Sequence, residues 1–222
     1  CRTELFLCCD SDDWMVSNSV KSILDFWNAS QKELQNRAIS MPILQKELSG
    51  MVGPRKIEGC KFNPLSLLPS DTKRSTLSGL YDNGYKGETA LVFRTSILRK
   101  YPFLIIKGEK FIPESYVYDQ LAEKYELLVY HSYWMECEYQ EDGYTKNGLI
   151  LRLKNPKGFL ICETSQLKKK FSIMKALHVL ALIEYIGEPY HYKELPHKFK
   201  LCFLFPFGKL LGIKYKRLAA KL

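Results

Sequence analysis

The chain alternates apolar runs of strand length with stretches of helical spacing, and the switches between the two predict most of its elements. Residues 4–9 form a short apolar run of strand length, followed at once by Asp10, Ser11, Asp12 and Asp13. Ser17, Asn18 and Ser19 then offer a helix cap, and Val20, Ile23, Leu24 and Trp27 recur at helical spacing, which predicts strand, acidic loop, helix. Further along, residues 90–95 read as a strand and 96–101 as a short helical turn. Pro113 opens a helix whose inward side carries Val117, Leu121 and Tyr118. Two greasy segments follow, 173–186 and 201–213, each interrupted and each short of the roughly 20 apolar residues a spanning helix needs. In the second, Pro206 and Gly208 are expected to break a helix.

Composition narrows the class. A chain of 222 residues that is 46% hydrophobic and 26% charged can bury a sizeable core, which excludes disorder for most of its length. Seven cysteines, an odd number without CxxC spacing, argue against a disulfide framework or a zinc site and favour a reducing, cytoplasmic setting. Charge is uneven: residues 1–164 hold 21 basic and 21 acidic side chains, whereas 165–222 hold 12 basic and 3 acidic ones, so the net +9 belongs to the tail. A neutral main domain is a poor nucleic-acid reader, and nucleic acid is excluded as a partner. Basic residues beside short apolar segments instead suit an anionic membrane surface, with a core helix as the alternative. The expected organisation is a domain over 1–160 and a basic, apolar helical tail over 161–222.

The candidate chemistry sits in two places. Asp10, Asp12 and Asp13 repel one another unless a cation or hydrogen-bond donors neutralise them. Oxygen ligands suit Mg²⁺ or Mn²⁺, with coordination left open for a diphosphate. The alternative is a solvated turn that caps the helix. Glu114, in the first turn after Pro113, is favoured as an ionised carboxylate by the positive helix end and could accept a proton from a sugar hydroxyl. The alternative there is a plain helix-terminus Glu. His131, His178, His191 and His197 show no ligand spacing with one another; His131 is held in reserve as an additional site group.

Taken together, the segments LFLCCDSDDW, the helix ending in FWN, GYKGETALVFRTSILRKYPF, GEKFIPESYVYDQL and EYQEDGYTKN resemble, in this order, the second half of an inverting family 2 glycosyltransferase of the GT-A fold. The likeness is to bacterial enzymes of capsular, exopolysaccharide or lipopolysaccharide synthesis and covers residues 1–160. It implies an α/β fold, a Rossmann-like mixed sheet flanked by helices, lacking its N-terminal nucleotide-binding part. Asp10 and Asp12 match the DxD pair that holds Mn²⁺ or Mg²⁺ against the donor diphosphate, with Asp13 as an acidic neighbour. Glu114 falls at the catalytic base, although the family's usual Glu-Asp pair is here Pro113-Glu114, and Glu109 competes for the role. Lys86, Gly87 and Glu88 match a loop facing donor and acceptor. Thr145 and Lys146 match a mobile segment near the donor phosphates.

The resemblance further implies a nucleotide-diphosphate sugar as donor and a saccharide or lipid-linked acceptor, with the enzyme cytoplasmic and peripheral at the inner face of the plasma membrane. In the family a nucleotide-binding segment precedes the DxD pair. The 222 residues alone are therefore expected to be weakly active or inactive and to expose a sheet edge. Two rival readings use the same residues: a metal-dependent nucleotide-sugar hydrolase or phosphotransferase, and a non-enzymatic membrane-peripheral binding module.

Overall fold

The computed structural model describes residues 2–38, 46–58, 68–138, 147–187 and 195–222. The chain divides into two compact units, one of residues 1–102 and 118–141 and the other of 103–117 and 142–222. The expected boundary between residues 160 and 161 falls inside a helix of the second unit.

The first unit is mixed α/β. Its strands are β1 (Leu5–Leu7), β2 (Asp13–Met15), β3 (Glu47–Ile57), β4 (Arg74–Ser75), β5 (Thr89–Arg94), β6 (Tyr125–Val129) and β7 (Met135–Cys137). They form one mixed sheet in the order β1-β5-β3-β6-β4, with β7 pairing both β3 and β2. The pairs β1/β5 and β3/β5 are antiparallel, whereas β3/β6 and β3/β7 are parallel. Strand β1 therefore runs in the direction of β3 and lies at the end of the strand order. Among the described residues the helices of this part of the chain are α1 (Ser19–Ala38), α2 (Leu77–Asp82), α3 (Thr95–Leu98) and α4 (Ser115–Lys124). The division into units falls within α4, between Val117 and Tyr118.

The alternation of β5 distributes its side chains between two faces. Ala90 and Val92 join Ile23 and Trp27 of α1, Leu48 and Met51 of β3, Leu128, Trp134 and Met135 in one core. Phe93 points the other way and stacks on Tyr118 of α4, with ring centroids 5.4 Å apart. Helix α1 differs from its expected face in one respect. Ile23 and Trp27 are buried, but Val20 and Leu24 are exposed, because Phe26, in the Tyr130–Trp134 aromatic group, takes the neighbouring position on the core side. Ser19 is the first helical residue and does not cap by accepting: its hydroxyl donates to the carbonyls of Val16 and Trp134. A bulge between Leu48 and Gly50 shifts the pairing of β3 with β6. A Cβ at Gly50 would lie 1.9 Å from the Val92 carbonyl oxygen, so only glycine lets β3 and β5 approach there.

The second unit is helical: α5 (Gly148–Lys154), α6 (Pro156–Lys169), α7 (Ile173–Ile186) and α8 (Lys198–Ala219). Its core is built from Leu153, Leu160, Leu167, Val179, Leu180, Leu182, Leu201 and Tyr215, among others. Ser172 caps α7 by accepting from Lys175 N–H, and Gly187 ends it in the left-handed conformation at φ 70°. Helix α8 corrects the expected break, since it continues through Pro206 and Gly208. Pro206 is solvent-facing, where helices already bend outward and water can satisfy the carbonyl that loses its partner. Gly208 and Gly212, one turn apart, face α7. A Cβ would fall 2.3 Å from Leu180 Cβ at the first and 2.5 Å from Glu184 Cβ at the second. These glycines allow close packing instead of ending the helix. The register advances in one direction on both helices, so α7 and α8 run parallel, tied by Lys216 to Glu184 at 2.8 Å. Buried Glu163 pairs with Arg152 at 2.8 Å and lies 3.6 Å from His178 Nδ1.

Candidate functional site

In the first unit, three chain segments arrive at the same end of the sheet. β1 finishes at Leu7, opposite Val92, and the acidic loop follows it. The antiparallel partner β5 starts at Thr89, opposite Pro54 of β3, so residues 86–88 precede it at that same end. Arg55, next along β3, donates its backbone N–H to the Glu88 carbonyl at 2.8 Å. The carboxyl ends of β1 and β3 thus present the acidic loop, Arg55 and the Lys86–Glu88 segment together.

The acidic loop is a turn closed by Asp13 N–H donating to the Asp10 carbonyl at 3.1 Å. Its three carboxylates have different surroundings. Asp10 and Asp12 are exposed. Asp13 has a side chain only 3% accessible and lies 2.6 Å from an Arg55 guanidinium nitrogen, which is 3.8 Å from the 56%-accessible Asp10 carboxylate. The Asp13–Arg55 contact is charge against charge without hydrogen-bond alignment. Asp13 Oδ2 and Arg55 Nε are buried and have no hydrogen-bond partner. Burial pushes the Asp13 pKa up, Arg55 opposes that shift, and the Asp10 and Asp12 charges add to it. Desolvation and like charges together therefore outweigh the arginine.

The second wall of this end is made by tyrosines. Tyr85 is buried and donates to the Glu88 carbonyl at 2.8 Å, while Tyr81 donates to the Gly87 carbonyl at 3.4 Å. Burial raises both hydroxyl pKa values, which keeps them neutral donors that set the path of residues 87–88. Lys86 is exposed and Glu88 half-buried. Cys137 pairs with Asp13 across β2 and β7, and burial pushes its thiol up to about 11. The cysteines at 8, 9, 137, 162 and 202 are all free.

Of the remaining candidates, Glu114 and Glu109 belong to the second unit, His131 belongs to the first, and the others lie outside the described residues. Glu114 is exposed and stands just before α4, its carbonyl accepting from Val117 N–H at 3.0 Å. Glu109 is engaged as a helix cap. Its two carboxylate oxygens accept from the backbone N–H groups of Lys157 and Gly158, each at 2.7 Å, at the start of α6. Buried Asn155 reciprocates: its side-chain oxygen accepts from Lys110 and Phe111 N–H at 2.8 and 3.0 Å, and its amide donates to Leu151 at 2.9 Å. Thr145 and Lys146 fall outside the described residues. His131 is exposed, its Nε2 2.8 Å from the Thr72 carbonyl.

Arg55 was not singled out from the sequence, although a basic residue closing an apolar strand run is a visible signal for a charge at a strand's carboxyl end. Asn155 and Gly158 carry no comparable signal, since their partners are more than forty positions away.

Among the described residues, no group of three or more His, Cys, Asp and Glu side chains is arranged to hold a metal unaided. Asp10 and Asp12 are exposed oxygen donors of the kind a hard cation takes, and two carboxylates leave coordination for the oxygens of a diphosphate. No protein-family model matches the chain, and no curated protein matches it.

Proposed function

We propose that this chain serves an inverting glycosyltransferase of the GT-A kind, resembling family 2, which moves a sugar from a nucleotide-diphosphate donor to a saccharide or lipid-linked acceptor. The observation that carries this reading is the meeting of Asp10, Asp12, Arg55 and residues 86–88 at the carboxyl ends of β1 and β3. Ligands of open α/β sheets bind at such ends.

In this reading Asp12, with Asp10, would hold a Mn²⁺ or Mg²⁺ ion, whose chemistry is to screen the charge of the departing diphosphate. Arg55 holds Asp13 out of that role and fixes the loop against β3. Lys86, exposed at this end of the sheet, would supply positive charge for the phosphates, and Gly87 would permit close backbone approach. The acceptor hydroxyl gives up its proton to a carboxylate base as that oxygen bonds to the anomeric carbon, a role that the resemblance alone gives to Glu114. The bond from this carbon to the diphosphate oxygen breaks with its electron pair leaving on the diphosphate. Attack from the opposite face inverts the configuration, and no covalent enzyme intermediate forms. Work at the cytoplasmic face of a membrane is part of the same proposal.

Calorimetric titration of uridine and deoxythymidine diphosphates, with and without Mn²⁺, tests it on a full-length version that carries the nucleotide-binding segment the resemblance expects. Binding should require the metal, disappear in Asp12→Asn and persist in Glu114→Gln. Metal-independent binding, or full retention in Asp12→Asn, would remove the DxD assignment. Release of free sugar from a nucleotide sugar in water without any acceptor would instead favour the hydrolase.

A further inference from the structure

Helix α8 turns a large apolar surface to solvent. Its inner side, with Leu201, Gly208, Gly212 and Tyr215, is buried in the second unit. On the outer side Phe199 is 87% exposed, Phe203 81%, Phe207 63% and Leu210 65%. At about 100° per residue these four lie within about 80° of arc, one continuous stripe along the first half of the helix. An isolated exposed phenylalanine needs no explanation, whereas a contiguous stripe marks an interaction surface. Among the described residues, no helix is long and apolar enough to cross a membrane, so the stripe belongs to a surface that docks.

Its surroundings identify the partner. Helix α8 carries Lys198, Lys200, Lys209, Lys214, Lys216 and Arg217 and no acidic residue. On the same helical wheel Lys200 lies about 20° beyond one edge of the stripe and Lys214 and Arg217 continue its arc toward the C-terminus, while Lys198 and Lys209 lie about 80–100° beyond the other edge. Aromatic residues framed by basic ones match a bilayer interface of anionic headgroups over acyl chains, where rings enter the boundary and cations meet phosphates. A second copy of the chain would set this positive surface against itself, which like-charge repulsion disfavours.

We propose that the Phe199, Phe203, Phe207 and Leu210 face of α8 docks the protein in plane on an anionic lipid bilayer, independently of the chemistry assigned to the first unit.

Flotation of the full 222-residue chain with large vesicles tests this. One set contains phosphatidylcholine alone and the other includes about a third phosphatidylglycerol, sufficient for a strongly negative surface potential. The protein should float with the anionic set, bind the neutral set at least about tenfold more weakly, and detach progressively as salt shortens the screening length. Phe203→Ser with Phe207→Ser should weaken anionic binding by about a hundredfold, from the lost burial of two rings, with unchanged circular dichroism. Because these side chains are exposed, the variant tests docking instead of folding, and Lys214→Glu with Arg217→Glu provides a charge-only counterpart. Three results would overturn the proposal: no flotation of the folded wild type, equal flotation of the serine variant, or a dimer that forms without lipid and is abolished by the same serines.

Discussion

Glu109→Ala separates a capping role from a catalytic one. Each Glu109 oxygen accepts one backbone N–H at 2.7 Å, from Lys157 and Gly158, the first donors after Pro156, which has none to offer. Hydrogen bonds to an ionised acceptor contribute about 1.5–3 kcal/mol each, and loss of a helix cap typically costs about 1 kcal/mol. The site is half-buried, so water recovers part of the loss, and Glu109→Ala should destabilise the chain by about 2–3 kcal/mol. Glu109→Gln keeps an acceptor but loses the charge that favours the helix N-terminus, so about 1 kcal/mol is expected. Urea unfolding followed by circular dichroism gives the stability change. Amide hydrogen exchange locates it: protection should fall at residues 157–160 and remain in β3 and β5. A destabilisation of Glu109→Ala below about 0.5 kcal/mol, outside the range for a lost cap, or unchanged exchange at Lys157 and Gly158, would refute the capping assignment.

Other consequences follow from the same geometry. Gly50→Ala forces a Cβ to within 1.9 Å of the Val92 carbonyl, so the sheet must part locally; the cost should exceed about 3 kcal/mol and show as loss of soluble folded protein on expression. Arg55→Gln strands the 3%-accessible Asp13 carboxylate and should cost about 3–5 kcal/mol by urea unfolding, as when one partner of a buried pair is removed; an effect under 1 kcal/mol would mean Asp13 is solvated. Cys137, with its thiol pushed up to about 11 by burial, is ionised to roughly one part in a thousand at pH 8, against about a quarter for a free thiol. Its raised pKa makes thiolate appear only as pH climbs toward that value. Iodoacetamide at pH 8 should modify exposed Cys202 and leave Cys137 intact until urea is added, as read by peptide mass spectrometry, and equal rates would contradict the burial.

How much of this was legible beforehand depends on the range of the interaction. Period and punctuation are local, and they located β1, the acidic loop, the start of α1, β5 and the helix after Pro113, because a strand or an amphipathic helix declares itself within a dozen residues. The uneven charge was equally visible, and the exposed phenylalanines now accompany it on α8. Which side of α1 faces inward was not readable, since Val20 and Ile23 are equally apolar and only the aromatic group around Trp134 chooses between them. Pro206 and Gly208 signal a break when judged locally, but packing of α8 along α7 stabilises the helix across them and turns the glycines into contact points. Glu109 looked like a carboxylate available for chemistry until the fold brought α6 onto it. Arg55 became part of the site only when β3 lay beside β5. Local steric and hydrophobic preferences act between neighbours in the chain and so can be read from order alone. Burial, close approach and the pairing of charges depend on groups the chain brings together from far apart, and only the tertiary arrangement decides them.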